Sequence, residues 1–229
     1  MIAPAEEPSI FNATTIAALT TLTTIIAAAY AASLQLLPKT TSTRLRTFYI
    51  WHVADGLVHC ILEASFLYNC FFTYLELPIP TADYPHPASL TSNPVQHFLG
   101  RSDRRYGSDF GSNVFASLWQ EYAKADKRWG GSDLTVISLE LLTVFVGGPL
   151  AFYIAYLIQQ GGGQPGGGGT TSAKLWFWGS LLACGELYGG FMVRSWFESL
   201  LFLLNADVIC RHLPQNGCPE MSTSIRQAL

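Results

Sequence analysis

Long apolar stretches alternate with polar segments along this chain of 229 residues. A helix needs about 20 mostly apolar residues to cross a bilayer. Four stretches reach that length and predict membrane-spanning helices, at 16–37, 48–75, 133–160 and 173–193. A last apolar stretch at 196–210 is short for a span and predicts a truncated fifth helix. We therefore expect an all-α fold, a polytopic bundle of membrane helices.

The same pattern divides the chain into three parts. A polar N-terminus at 1–12 precedes the transmembrane bundle at 13–210, and a polar tail follows at 211–229. The N-terminus has no basic segment before its first apolar stretch, so we expect no cleaved signal peptide. The short loop after the first span is basic, and basic loops lie mostly on the cytoplasmic side. The N-terminus is therefore predicted to lie in the lumen.

The connecting segments carry local signals of their own. Prolines recur in the polar loop at 76–112 and predict that it has no regular structure. The segment 114–129 predicts an amphipathic helix, with aromatic residues suited to a membrane interface at Trp119, Tyr122 and Trp129. Residues 161–169 (GGGQPGGGG) predict a flexible linker. Pro149, after two glycines, predicts a kink in the third span.

Composition supports the membrane class. Charged residues make up 13% of the chain, and the mean hydropathy is +0.26. Soluble domains have about 25% charged residues. The net charge of −3 gives no indication of a nucleic-acid partner. The cysteines show no CxxC pair and no zinc-like spacing, so they predict no zinc site.

Ionisable residues inside the apolar spans are the main functional signal. A charged group at the centre of a membrane helix costs about 2.5–3.5 kcal/mol on insertion scales and usually marks a functional position. In the second span, one helix face carries His52, Asp55, His59 and Glu63, and the third span carries Glu140. Acids and imidazoles that exchange a proton in an apolar cavity indicate proton-transfer chemistry on an apolar substrate.

The pair His59 and Glu63 has three interpretations. It could perform acid–base catalysis, or it could be a structural hydrogen-bonded pair that fixes helix packing. A metal site built from both residues and His52 is the third, although no HExxH motif and no fourth ligand accompany it. Asp126 and Arg128 precede the third span, and from pattern alone they predict a solvated turn at the membrane interface.

Three strings resemble the emopamil-binding protein family, the sterol Δ8-Δ7 isomerases with an EXPERA domain. WHVADGLVHCILE at 51–63 is similar to the second-helix signature of that family. LWQEYAKADKR at 118–128 is the most specific match, and GELYG at 185–189 resembles the Tyr-Gly motif of the fourth helix. The likeness covers about residues 45–193.

This resemblance implies a multi-pass, five-helix bundle of the endoplasmic reticulum membrane. It implies a sterol or another polycyclic terpenoid as substrate, isomerisation of a ring double bond without a cofactor, and a homodimer. Carried over to this chain, the catalytic residues are His59, Glu63 and Glu140. The residues implied in substrate binding are Thr143, Asn205, Asp126, Arg128 and Tyr188.

The last helix departs from the family pattern. Asn205 matches the family's Asn, but Val208 stands where the family has Trp, and Gly190 replaces an Asp after the Tyr-Gly motif. Three hypotheses remain open. The chain is a sterol isomerase, a non-catalytic sterol- or amphiphile-binding protein like the sigma-two receptor, or an isomerase or cyclase of specialised terpenoid metabolism.

Overall fold

A computed structural model of the chain describes residues 12–77, 98–101 and 103–212, with the backbone alone from 191 to 212. The predicted tail beyond His212, and the predicted N-terminus apart from Asn12, lie outside the described residues. The chain forms two compact units, Met1–Leu182 and Ala183–Leu229.

Helices dominate the described residues. The α-helices in chain order are α1 (Ala13–Leu36), α2 (Thr43–Val58), α3 (Ala64–Phe72), α4 (Val114–Tyr122), α5 (Leu134–Leu142), α6 (Gly148–Gln159) and α7 (Gly169–His212). Two π-helical segments join neighbouring α-helices end to end. His59–Glu63 connects α2 to α3, and Thr143–Gly147 connects α5 to α6.

Three helical stretches are long and apolar enough to cross a membrane. They are α1, Thr43–Phe72 and Leu134–Gln159, which correspond to the first three predicted spans with ends shifted by a few residues. Within the part of the chain that the structure describes, α7 does not meet the same criteria, so the count of four spans is not confirmed. The backbone of α7 is continuous from Gly169 to His212, so the predicted separation of a fourth and a fifth helix is not seen.

The guanidinium group of Arg46 ties the first two helices together through two backbone carbonyl groups. The guanidinium of Arg46 in α2 donates through Nη1 to the carbonyl oxygen of Ser33 in the last turn of α1. Its Nη2 donates to the carbonyl oxygen of Pro38 at 3.0 Å. Carbonyl groups at the end of a helix lack intrahelical partners, and a cation there is favourable. Arg46 therefore stabilises the end of α1 and fixes the turn into α2.

Small and aliphatic residues form the core between α2, α6 and the first part of α7. Its fully buried members include Ala151, Ile154, Ile158 and Leu175. Gly56 permits close packing here, because a Cβ added to it would lie 2.9 Å from Cζ of Phe152. The second span therefore packs closely against α6 at Gly56, beside the polar face of that span.

A second core, the aromatic cluster, consists of Phe66, Trp119 and Trp129. The two indole rings stack at 5.2 Å, and Phe66 meets them edge-on at 5.2 and 5.1 Å. Both tryptophans are buried inside the protein, and their place at the membrane interface stays a prediction. The helix predicted over 114–129 ends at Tyr122, and the following turn carries Trp129 back against α3.

Two short strands correct the purely helical prediction. Strand β1 (Tyr74–Glu76) pairs antiparallel with β2 (Arg104–Tyr106). The guanidinium of Arg104 lies 4.0 Å above the ring of Tyr74 and 3.3 Å from the carboxylate of Glu76. These cross-strand contacts stabilise a pair that three residues per strand would not hold by backbone bonds alone. Strand β2 lies within 76–112, where the prolines predicted no regular structure, so that prediction is wrong at 104–106. The prolines themselves, between 78 and 94, lie outside the described residues.

The glycine-rich segment forms successive turns. Gly162 donates its N–H to the carbonyl of Leu157 at 2.9 Å, and Gly163 donates to Oγ of Ser172 at 3.0 Å. Gly161, Gly163 and Gly166 have φ values of 84°, 76° and 80°, which residues with a side chain rarely adopt. The expected linker is therefore a hydrogen-bonded connection that returns the chain from α6 to α7.

Candidate active site

The two π-helical segments pack against each other at the centre of the candidate site. In each, a backbone N–H reaches five residues back: Ala64 donates to the carbonyl of His59, and Gly148 donates to that of Thr143. Pro149 follows directly and has no N–H with which to continue the α-helical pattern. π-Helical turns are rare and are frequent at functional sites, so two that face each other draw attention to the side chains they carry.

An acid–base cluster lies between these segments and consists of His59, Glu63, Glu140 and Thr143. Nδ1 of His59 lies 2.6 Å from Oε2 of Glu63. The Thr143 hydroxyl donates to the same Oε2 at 2.6 Å. The hydroxyl oxygen also lies 3.5 Å from Oε2 of Glu140. Two carboxylates and one imidazole therefore meet around a single hydroxyl group.

The cluster is shielded from solvent by the close approach of the helices. His59 and Glu140 are 6% and 4% exposed. Two glycines opposite His59 make room for its ring. A Cβ on Gly148 would lie 3.2 Å from Cβ of His59, and one on Gly147 would lie 3.5 Å from its Nε2. In such a water-poor setting, a charged side chain interacts more strongly than in water with charge that develops on a reacting molecule.

The cluster contains a hydrogen-bonded contact within a span and a hydrogen bond between two spans. The His59–Glu63 contact lies within the second span, whereas the Thr143–Glu63 bond joins the second span to the third. A structural role in helix packing therefore needs the threonine bond and does not need the imidazole. This observation favours a chemical role for His59 over the structural interpretation of the His–Glu pair.

The predicted metal site of His52, His59 and Glu63 is not seen among the described residues. The ligand atoms of His52, His59 and Glu63 do not converge there on one point. His52 is 3% exposed and meets the ring of Phe48 edge-on at 4.4 Å. Its position is that of a buried ring in the packing of α2.

Asp55 is a site residue to which the sequence analysis assigned no role. Its Oδ1 lies 3.5 Å from Nε2 of His59, on the side of the ring opposite Glu63. The spacing of four residues from Asp55 to His59 is the same as that from His59 to Glu63. That repeated interval was the signal in the sequence that could have identified it.

Asp126 and Arg128 form an ion pair within their own turn. The shortest contact joins Nη2 of Arg128 to Oδ2 of Asp126 at 2.6 Å, and Asp126 also accepts from the backbone N–H of Arg128. Burial raises the pKa of Asp126, but the hydrogen bonds from Arg128 outweigh it and hold the pKa below its usual range. The pair is only 13–15% exposed, so the predicted solvated turn is largely buried. A role at the mouth of a cavity stays a prediction.

The remaining predicted residues lie on α7. Tyr188 belongs to the second compact unit and is 66% exposed. The side chain of Asn205 lies outside the described residues, since only the backbone is described there. Their roles in substrate binding therefore stay predictions.

A helical membrane protein with a buried acid–base cluster between two spans is the class that the fold and the site define. Residues 114–202 match the family described as EXPERA (EXPanded EBP superfamily). Residues 114–202 are therefore similar to this domain, and the resemblance of the sequence motifs to the emopamil-binding protein family is confirmed.

Two curated relatives match different shares of the chain. A protoglabretal synthase of Ailanthus altissima is 31% identical over 168 residues, which are 73% of this chain and 58% of the relative. A probable 3-beta-hydroxysteroid-Delta(8),Delta(7)-isomerase of Arabidopsis thaliana is 26% identical over 110 residues, which are 48% of this chain and 34% of the relative. The chain thus matches a little over half of one relative and a third of the other.

Proposed function

We propose that the protein is a membrane isomerase that moves a ring double bond of a sterol from the 8(9) to the 7(8) position. The observation that carries this proposal is the position of Glu63, which lies 2.6 Å from both Nδ1 of His59 and Oγ1 of Thr143. Glu140 lies on the other side of the same hydroxyl. The similarity to an isomerase of Arabidopsis thaliana supports the same reaction class.

The reaction needs one proton donor and one proton acceptor. An acid of the cluster protonates carbon 9, and the electrons of the 8(9) double bond form the new C–H bond, which leaves a cation at carbon 8. A base then removes a proton from carbon 7, and the electrons of that C–H bond form the 7(8) double bond. One proton enters and one leaves, so the reaction needs no oxidant or reductant.

The proposed roles follow from the contacts. His59 and Glu63 form the proton-handling pair, because one short hydrogen bond joins them. The carboxylate of Glu140 stabilises the cation or assists the proton transfer, and Thr143 holds both glutamates at the site. A dry cavity protects a carbocation from capture by water.

A second candidate is an isomerase or cyclase of specialised terpenoid metabolism. The relationship to a protoglabretal synthase over 73% of this chain favours it. The same acid–base cluster would protonate a non-sterol polycyclic terpenoid.

Several finer features belong to the same proposal. We propose the endoplasmic reticulum as the membrane, a fourth span in the first part of α7, and a homodimer. Asp126, Arg128, Tyr188 and Asn205 are proposed to contribute to substrate binding. The sequence motifs that resemble the family support each of these features.

Sterol profiling tests the proposed function. The chain is expressed in a host that lacks sterol Δ8-Δ7 isomerase, beside the variant Glu63→Gln and a control variant, Glu121→Gln. The control changes a carboxylate that pairs with Lys124 outside the acid–base cluster. Protein in the membrane fraction is quantified for all three. Conversion of Δ8 to Δ7 sterol by the wild type and the control, but not by Glu63→Gln, supports the proposal.

The other outcomes distinguish the alternatives. Full conversion by Glu63→Gln contradicts the proposed mechanism. Conversion of a polycyclic terpenoid without conversion of sterols supports the second candidate. Saturable sterol binding without product, from protein that is present in the membrane, supports a non-catalytic binding protein. The reason to consider this alternative is Val208, which stands at the family's Trp position.

A further inference from the structure

His59 has a carboxylate on each side of its ring. Nδ1 lies 2.6 Å from Oε2 of Glu63, and Nε2 lies 3.5 Å from Oδ1 of Asp55. All three residues are mostly buried, with side chains 16%, 7% and 20% exposed in chain order. The proposed reaction uses only the Glu63 side of the ring, so the position of Asp55 requires its own explanation.

The number of protons on the ring decides how many carboxylates it can satisfy. A neutral imidazole has one N–H and can donate to one carboxylate, whereas an imidazolium donates to both. A carboxylate taken out of water without a donor is unfavourable. Two carboxylates on opposite sides therefore favour a doubly protonated ring, or a proton held by one of the acids.

Two buried polar atoms of the site that lack a hydrogen-bond partner within the described part of the chain also indicate that Asp55 and His59 act together. Oδ2 of Asp55 and Nε2 of His59 are both buried, and neither has a hydrogen-bond partner among the described residues. Buried polar atoms are nearly always hydrogen-bonded, so each exception calls for an explanation. The distance of 3.5 Å between the two groups is longer than a good hydrogen bond. Contacts of this kind often shorten when substrate binds.

We propose that Asp55 is a positioning residue that acts through His59: its carboxylate keeps the ring doubly protonated, so that Nδ1 can reprotonate Glu63. As Nδ1 of His59 gives its proton to the Glu63 carboxylate, the ring keeps its other proton on Nε2, where it faces the carboxylate of Asp55. The N–H bond at Nδ1 breaks as the O–H bond at Glu63 forms, and the N–H bond at Nε2 stays intact. The reverse movement restores the starting state without an external reactant.

The close contact of the third span assists this role. Gly147 and Gly148 face His59 without side chains, and an added Cβ would lie 3.5 Å from Nε2 and 3.2 Å from Cβ of His59, respectively. Glu140 reaches the same cluster through Thr143, from α5. Asp55 therefore faces the only ring nitrogen that Glu63 leaves open.

The first test needs no substrate. Full-length protein is purified in detergent with ¹⁵N-labelled histidine, and the signals of His59 are identified among the five histidines by their loss in His59→Gln. At neutral pH we expect the ¹⁵N shifts of a doubly protonated ring in the wild type and in Glu121→Gln. In Asp55→Asn we expect those of a singly protonated ring. Unchanged His59 signals in Asp55→Asn would overturn the proposal.

The second test rests on the proposed function and uses the substrate that the wild type converts. For Asp55→Asn we expect kcat to fall about 10- to 100-fold with KM unchanged, as is usual when the partner that orients a functional side chain is removed. Asp55→Glu should recover part of the loss, because its carboxylate can reach the same nitrogen. A raised KM with unchanged kcat would overturn the proposal and assign Asp55 to substrate binding.

The two tests fail independently. If the wild type converts no sterol or terpenoid, the proposed function fails, and the ¹⁵N spectra still decide whether Asp55 controls the protons of His59. If the wild type is active and Asp55→Asn matches it in kcat, KM and spectra, the role of Asp55 fails while the proposed function stands.

Discussion

The aromatic cluster and the acid–base cluster differ in whether the buried polar atoms around them have hydrogen-bond partners. In the aromatic cluster, Nε1 of Trp119 donates to Oγ of Ser65 at 2.9 Å, and that hydroxyl donates to the carbonyl of Leu62 at 2.6 Å. Next to the acid–base cluster, Oδ2 of Asp55 and Nε2 of His59 have no such partner among the described residues. The polar atoms named in the first region are hydrogen-bonded within the protein, whereas those named in the second could still form hydrogen bonds.

This difference distinguishes structural polarity from chemical polarity. Natural proteins satisfy their buried polar groups where packing is the purpose, and depart from that rule mainly at functional sites. Substitutions in the aromatic cluster should therefore change stability, and substitutions in the acid–base cluster should change turnover. Four variants test this contrast, from the largest expected effect to the smallest.

Glu63→Gln should have the largest effect, and on turnover. The amide keeps the size of the side chain but cannot exchange a proton, and loss of a general acid or base typically lowers turnover about 10²- to 10⁴-fold. The rate is measured per molecule of membrane protein with the substrate that the wild type converts, and Glu121→Gln is the control. A thermal midpoint that collapses in Glu63→Gln would show that the two clusters do not differ as described.

Trp119→Ala should have the largest effect on stability. Truncation of a buried tryptophan costs about 3–5 kcal/mol, and here the hydroxyl of Ser65 also loses its indole donor. The thermal midpoint in detergent should fall strongly. Trp119→Phe keeps one aromatic ring in the cluster and loses the hydrogen bond, at about 1 kcal/mol, together with part of the buried ring, so its loss of stability should lie between those of the wild type and Trp119→Ala. A normal midpoint with lost turnover in Trp119→Ala would contradict the comparison.

Gly148→Ala should disturb the acid–base cluster by displacement. The new Cβ would lie 3.2 Å from Cβ of His59, so the imidazole must move by a few tenths of an ångström. A misplacement of 1 Å can cost about 10²-fold in rate, so we expect about a tenfold loss of turnover. Gly169→Ala, where no atom lies within 4 Å of the added Cβ, is the matched control. Equal rates for both variants would mean that the position of His59 is not critical.

Asp126→Asn should have the smallest effect, and it should depend on pH. The folded pKa of Asp126 lies below its usual range, so the stability that the pair contributes is complete above the pKa of an unfolded carboxyl group. It is lost as the pH falls through the folded value. We expect the variant to be less stable by about 1 kcal/mol at neutral pH. The gap in thermal midpoint should close on acidification, and a gap that widens would contradict this account.

The sequence indicated the residues of the acid–base cluster more readily than its architecture. The spacing of His59 and Glu63, and of Glu140 and Thr143, placed each pair on one helix face. The bond from Thr143 to Glu63 joins residues 80 positions apart, so no local pattern could predict it. The resemblance to the family implied that these residues share a site, because it carried information about packing that periodicity lacks.

Other features could not be predicted for local reasons. A π-helical segment of five residues leaves the apolar pattern of a span almost unchanged, so neither segment was expected. Trp119 and Trp129 are of a residue type that is typical of a membrane interface, and no local pattern shows that the turn after α4 brings Trp129 back against Phe66, beside Trp119. The pair of strands is three residues long in each partner, which is too short for an alternating pattern to show.

The π-helical segment at His59–Glu63 also sets the rotational phase of the second span. Such a segment is equivalent to one residue inserted into an α-helix, and one residue corresponds to a rotation of about 100°. With an unbroken α-helix, Phe66 would point about 100° away from its present direction while His59 kept its own. The extra residue thus lets a single helix turn its acids toward the third span at one level and its aromatic ring toward Trp119 and Trp129 at the next.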